Sequence, residues 1–207
     1  MSHNTWIHKI SRAVIVKPLA KTPVTPNQLT VVRLLTGLGA VAGFAVGEMP
    51  WVQVGAVAFI VSMLFDRADG DLARMTGRTS PGGHVFDLIA DALCNSLIFV
   101  GLGLGLSQGD YGHGATVMGA TAGLAVALIL GMVIRMENLE GARAAELGGA
   151  AGFDPDDAML LVPLAVLFGA AEGLLLAAAI GAPCFAVFFF MLFRKKLFAK
   201  TPDQPPD

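Results

Sequence analysis

The sequence predicts an all-α, polytopic membrane protein, with six transmembrane helices in one domain over residues 1–207 and a short N-terminal amphipathic surface helix. Composition is the first ground. Of the 207 residues 55% are hydrophobic and 14% charged, and the mean hydropathy is +0.67, which is not the make-up of a soluble domain. The second is the recurrence of apolar runs at about 31–47, 50–65, 85–107, 115–134, 157–170 and 173–193, several of them near the roughly 20 residues that cross a bilayer as helix. The third is charge placement. Six spans put all 14 Lys and Arg on one side with both termini, whereas the opposite loops near 48, 110 and 172 carry only Glu48, Asp110 and Glu172. The positive-inside bias makes the basic side cytoplasmic, which predicts a multi-pass protein of the cell's inner (cytoplasmic) membrane.

Residues 1–24 form a juxtamembrane segment. Within 5–20, Trp6, Ile7, Ile10, Ala13 and Val14 fall near helical spacing with Lys9, Arg12 and Lys17 interleaved, the pattern of a helix lying on a membrane surface. No cleavable signal pattern is expected, because the stretch Ala13 to Val16 is short and bounded by basic residues. Pro23 and Pro26 break the chain before the first span, and Asn27 is the expected N-cap. Arg33 lies where that helix enters the membrane, so it either snorkels or points into a site, and the second reading is preferred.

The second span ends at Phe65, where the first aspartates arrive. Asp66 and Asp69 are spaced i, i+3, and Asp87 and Asp91, at the start of the third span, are spaced i, i+4, so each pair shares a helix face. Two such faces turned together make a nest of four carboxylates. Close like charges at a membrane are tolerable when cations fill the nest, and hard divalent ions with oxygen ligands, Mg2+ or Mn2+, are the expected occupants. Helix-start preference explains one of Asp87 and Asp91 at most, since Asp91 is too deep for a cap. Gly70 and Ala73 are small where a ligand could approach, and Arg74 offers a cation for phosphate. Asp71, outside this spacing, reads as a solvated residue, and His84 as a loop residue without a role.

The remaining elements carry less chemistry. Gly77 to Gly83 is the turn before the third span. Gly101, Gly103, Gly105, Gly119, Gly123 and Gly131 suit close helix packing or a dimer face. Cys94 and Cys184 lie within spans and read as apolar filler. The long polar loop from Arg135 to Asp157 holds Arg135 and Arg143, on the side of the aspartates and able to meet an anionic substrate. Residues 201–207 are expected to be a disordered tail.

The full spacing is Asp66-x2-Asp69-Gly70-x2-Ala73-Arg74-x8-Gly83-x3-Asp87-x3-Asp91, and at all eight positions it resembles the signature of the CDP-alcohol phosphotransferase (CDP-alcohol phosphatidyltransferase) family of membrane enzymes. Members of that family displace CMP from a CDP-linked donor, usually CDP-diacylglycerol, with the hydroxyl of a small alcohol acceptor. The resemblance implies that Asp66, Asp69, Asp87 and Asp91 hold two divalent ions, Mg2+ or Mn2+. It implies also that Asp91 is the base taking the acceptor's proton, and that Gly70, Ala73, Arg74 and Gly83 line the CDP pocket. A phosphorylated polyol, glycerol 3-phosphate or inositol phosphate, ranks first as acceptor, with Arg135 and Arg143 as the cations for its phosphate; an amino alcohol stays open. A homodimer is expected, and nucleic acid is not an expected partner. The competing class is a divalent-cation transporter, disfavoured because the carboxylates gather at one face and the outer loops have no acidic counterpart.

Overall fold

A computed structural model describes residues 6–140 and 155–198. Among the described residues all regular structure is helical. The long helices are α1 (Pro26–Val46), α2 (Trp51–Thr76), α3 (Pro81–Gly105), α4 (His113–Glu140) and α6 (Ala171–Leu197), with the short α5 (Leu161–Leu167) between the last two. The first four and α6 are long and apolar enough to cross a membrane.

The fifth expected span, residues 157–170, is helical over Pro155–Leu160 and Leu161–Leu167, and like the apolar run itself it is short for a bilayer crossing. A tight helical turn, Pro155–Leu160, leads into α5, and together they cover roughly 22 Å against a hydrocarbon core of about 30 Å. Val162, Pro163 and Val166 are buried, and α5 packs on α2. Its apolar character therefore reflects burial inside the protein as much as contact with lipid.

The start of α1 differs from expectation by two residues. Thr25, not Asn27, is the N-cap: Pro26 takes the first helical position, where a missing N–H costs nothing, and the Gln28 side chain accepts from the Thr25 N–H at 2.9 Å. That frees the Asn27 side chain. At the other turns Gly47 and Gly77 end α1 and α2 in the left-handed region, with φ of 74° and 66°, and each is followed by a short connection that reverses the chain.

Glycines set how closely the helices approach. A Cβ on Gly43 of α1 would lie 3.0 Å from the Gly55 Cα of α2, and one on Gly103 of α3 would lie 3.0 Å from the Gly119 Cα of α4. In membranes such seams replace the hydrophobic effect with close van der Waals packing. Gly101, Gly105 and Gly123 also face neighbouring helices of the same chain, whereas a Cβ on Gly131 would meet nothing within 4 Å among the described residues. Around these seams Phe44, Phe59, Ile98, Phe99 and Leu102 form the main core. Leu35, Val57, Leu124 and Val187 are exposed, as befits residues that face lipid.

The juxtamembrane segment is helical through Trp6–Ser11, a wider turn Arg12–Val16, and Lys17–Leu19. Its inner side is fixed to α2: the Ser11 hydroxyl donates to the Leu64 carbonyl at 2.9 Å, and Val16 is buried with Leu29, Ala68 and Leu72. Lys9, Ile10, Arg12 and Val14 face outward, a mixture of cations and apolar side chains suited to a membrane surface. The segment thus braces the end of α2 that carries the aspartates.

Candidate active site

The carboxylates come from the last three turns of α2 and the first three of α3. Ser80 caps α3 by accepting from the Gly83 N–H at 3.0 Å, and this fixes where Asp87 and Asp91 enter the bundle. Two facing acidic helices would repel each other. The compensation comes from α1, whose Asn27, Thr30 and Arg33 recur every three residues on one face of an otherwise apolar helix.

Arg33 is 2% exposed and sits at the centre of the nest. Its Nη1 lies 2.8 Å from Asp66 Oδ1 and 2.7 Å from Asp87 Oδ1, and its Nη2 pairs with Asp91 Oδ1. Ser62 Oγ donates to the Arg33 carbonyl at 2.9 Å, tying this turn of α1 to α2. The fourth carboxylate, Asp69, accepts from Thr30 Oγ1 at 2.7 Å. Asp66 also meets Arg67 Nη1 at 3.1 Å, and Asp91 accepts from Asn95 Nδ2 at 2.9 Å. A planar guanidinium suits this role because it presents several donors in a fixed fork, and pairing offsets the cost of partly burying these carboxylates.

Two cavities flank the nest and divide its carboxylates. The outer, of about 200 Å3, is lined by Asp69, Gly70, Ala73 and Arg74 of α2, by Gly83, His84 and Asp87 of α3, and by Asn27 and Thr30 of α1. The inner, of about 20 Å3, is lined by Arg33, Asp66, Arg67, Asp91, Asn95 and Met159, and is large enough for about one water. All the pocket positions expected from the sequence, Gly70, Ala73, Arg74 and Gly83, therefore share one wall system with Asp69 and Asp87. Asp66 and Asp91 line the inner cavity instead.

The small residues have steric reasons. A Cβ on Gly83 would stand 2.8 Å from Asn27 Oδ1 and 2.9 Å from Ser80 Oγ, so any side chain there would push Asn27 away from the cavity wall or break the cap of α3. A Cβ on Gly70 would stand 3.4 Å from Arg74 Nη1, so the bare backbone lets the guanidinium lie over the helix. Asp71 holds Arg74 there at 2.6 Å and is 8% exposed, which corrects its reading as a solvated residue.

Not every expected residue joins the site. Arg135 does not line either cavity; its Nε donates to the Leu197 carbonyl at 3.0 Å and ties the end of α4 to the end of α6. Arg143 and the tail 201–207 lie outside the described residues. His84, expected to have no role, does line the outer cavity. Among the described residues no three acidic, His or Cys side chains stand at metal-holding spacing, and Arg33 pairs with Asp66, Asp87 and Asp91.

Residues 23–194 match the CDP-alcohol phosphatidyltransferase family. The chain belongs to that family. Among curated relatives it is 35% identical over 89 residues to an archaetidylinositol phosphate synthase of Pyrococcus horikoshii, covering 43% of this chain and 46% of that protein. It is also 35% identical over 88 residues to a bifunctional IPC transferase and DIPP synthase of Rubrobacter xylanophilus, covering 42% of this chain and 19% of that protein. The chain thus spans about half the length of the first of these relatives and a fifth of the second. The family membership agrees with the helical membrane architecture and with the eight-position motif that lines the two cavities.

Proposed function

We propose that the protein transfers the phosphatidyl group of CDP-diacylglycerol to the hydroxyl of a phosphorylated polyol and releases CMP, at the cytoplasmic end of the helices. The observation that carries this reading is the gathering of Gly70, Ala73, Arg74 and Gly83 with Asp69 and Asp87 around one cavity. The outer cavity receives the cytidine diphosphate. Arg74, oriented by Asp71, meets a phosphate oxygen, and the bare backbone at Gly83 leaves room beside Asn27.

The donor set fits hard divalent ions. Asp66, Asp69, Asp87 and Asp91 supply only oxygen ligands, and their four negative charges exceed what Arg33 and Arg67 return. Mg2+ or Mn2+ held by these residues would neutralise the diphosphate and stabilise the departing CMP. Asp91 lines the inner cavity, whose volume is that of about one water, so the cavity has room for the reacting hydroxyl alone while the rest of the acceptor stays outside it. Its carboxylate takes the hydroxyl proton as the acceptor oxygen attacks the phosphorus that bears the lipid, while Arg33 and Asn95 hold the carboxylate in place.

For the acceptor, the name of the Pyrococcus relative favours an inositol phosphate within the class of phosphorylated polyols. Arg143 is the cation proposed for its phosphate, since the Nε of Arg135 is committed to the Leu197 carbonyl. The test offers purified protein CDP-diacylglycerol, Mg2+ and separate acceptors: inositol phosphate, glycerol 3-phosphate, free inositol and an amino alcohol. A new phospholipid formed only with phosphorylated polyols supports the reading. Transfer to the amino alcohol alone would replace it with the same chemistry on another acceptor.

A further inference from the structure

We propose that Arg33 is the resident counter-cation of the carboxylate nest, occupying in the ion-free protein the position that divalent ions compete for, and so setting the ion concentration at which the site fills. This rests on the reading above of the aspartates as ion ligands. Three facts lead to it. Arg33 engages Asp66, Asp87 and Asp91 at once, from a position that is 2% exposed. It comes from α1, outside the two helices that carry the carboxylates, with its backbone held by Ser62. It also lines the inner cavity between Asp66 and Asp91, while Asp69, which is bonded by Thr30 instead, faces the outer one.

The physical argument is one of charge. Four carboxylates brought together without a cation would repel or take up protons, and a guanidinium at their centre keeps them paired and the helices packed when no ion is bound. The same guanidinium holds the carboxylate oxygens that a divalent ion must gain, and it repels that ion. Binding of an ion therefore requires Arg33 to give up at least one carboxylate. This trades ion affinity for a site that is stable when empty and that fills only above a threshold.

The test compares wild type with Arg33→Met, of similar length and no charge, and Arg33→Lys, which keeps the charge. Binding of Mn2+ alone to purified protein in detergent is followed by electron paramagnetic resonance of the free ion, and thermal unfolding is measured with and without Mn2+. Expected for Arg33→Met is Mn2+ affinity at least about tenfold tighter than wild type, since a unit positive charge beside the ion is gone. Its melting temperature should be low without the ion and rise on Mn2+ addition by more than that of wild type. Arg33→Lys should bind Mn2+ within a few-fold of wild type. Should Arg33→Met prove too unstable to isolate ion-free, purification in Mn2+ followed by graded chelation gives the same affinity order. Unchanged or weaker Mn2+ binding by Arg33→Met, beside a wild type that binds, overturns the role of Arg33 alone. A wild type that binds no Mn2+ overturns this inference together with the reading of the aspartates as ion ligands.

Discussion

Replacing Thr30 with valine isolates one bond of the site. The two side chains have nearly the same shape, so packing is retained and what is lost is the hydroxyl, which donates to Asp69 Oδ2 at 2.7 Å and makes a longer contact with the Pro26 carbonyl at 3.3 Å. Thr30 and Asp69 are 2% and 3% exposed, so bulk water does not take the lost donor's place, and any replacement comes from water within the outer cavity that both residues line. A hydrogen bond to a charged acceptor contributes roughly 1.5–3 kcal/mol net, and that range is the expected destabilisation of Thr30→Val. It corresponds to a fall of about tenfold to 150-fold in the ratio of folded to unfolded protein. Thermal unfolding in detergent, read by scanning fluorimetry, is the assay, with Thr30→Ser as the control that keeps the hydroxyl. A clear fall in melting temperature for valine and a smaller one for serine is the expected pattern. Thr30→Val melting with wild type would refute the reasoning, as would serine being as damaging as valine.

Three further outcomes are expected. Asp69→Asn and Asp87→Asn should each abolish CMP release while the protein still inserts, and excess chelator should abolish wild-type turnover as well; turnover that persists in chelator contradicts the role of the carboxylates as ion ligands. Arg143→Ala should raise the Michaelis constant for a phosphorylated acceptor well above any change for the donor, whereas Arg135→Ala should affect both substrates alike, because the Arg135 Nε also secures the Leu197 carbonyl. In a background with Cys184 replaced, Asp110→Cys should react with an impermeant thiol reagent from outside intact cells and Lys195→Cys should not; the reverse pattern would invert the topology and move the site to the other side of the membrane.

Much of the site was legible because its motif lies along two helices whose spacing alone decides which residues share a face. Asp66 with Asp69, and Asp87 with Asp91, needed no tertiary information, and Gly70, Ala73, Arg74 and Gly83 followed from the same register. The contribution of α1 was only half legible. Arg33 stood out as a cation inside a span, but its partners lie 33 to 58 residues away, and no spacing reveals which carboxylates it meets. The stripe of Asn27, Thr30 and Arg33 was the signal that could have found Thr30, since a repeated polar face on a membrane helix points inward. Asp71 was misread for a related reason: its partner Arg74 was assigned to substrate, which left the carboxylate without an evident use. The fifth span was legible as a short apolar run but not in its surroundings, because such a run looks the same whether it faces lipid or, as with Val162 and Val166, packs into the protein.

The account rests most heavily on Asp91 acting as base beside a donor pocket that does not include it. The decisive measurement sets the turnover number for CMP release by Asp91→Asn against its binding of CDP-diacylglycerol in Mg2+, with wild type and Asp87→Asn alongside. Turnover reduced by roughly 100-fold or more with donor binding nearly intact is predicted for Asp91→Asn, whereas Asp87→Asn should lose both. Loss of donor binding in Asp91→Asn as severe as in Asp87→Asn would contradict the assignment and leave Asp91 an ion ligand only.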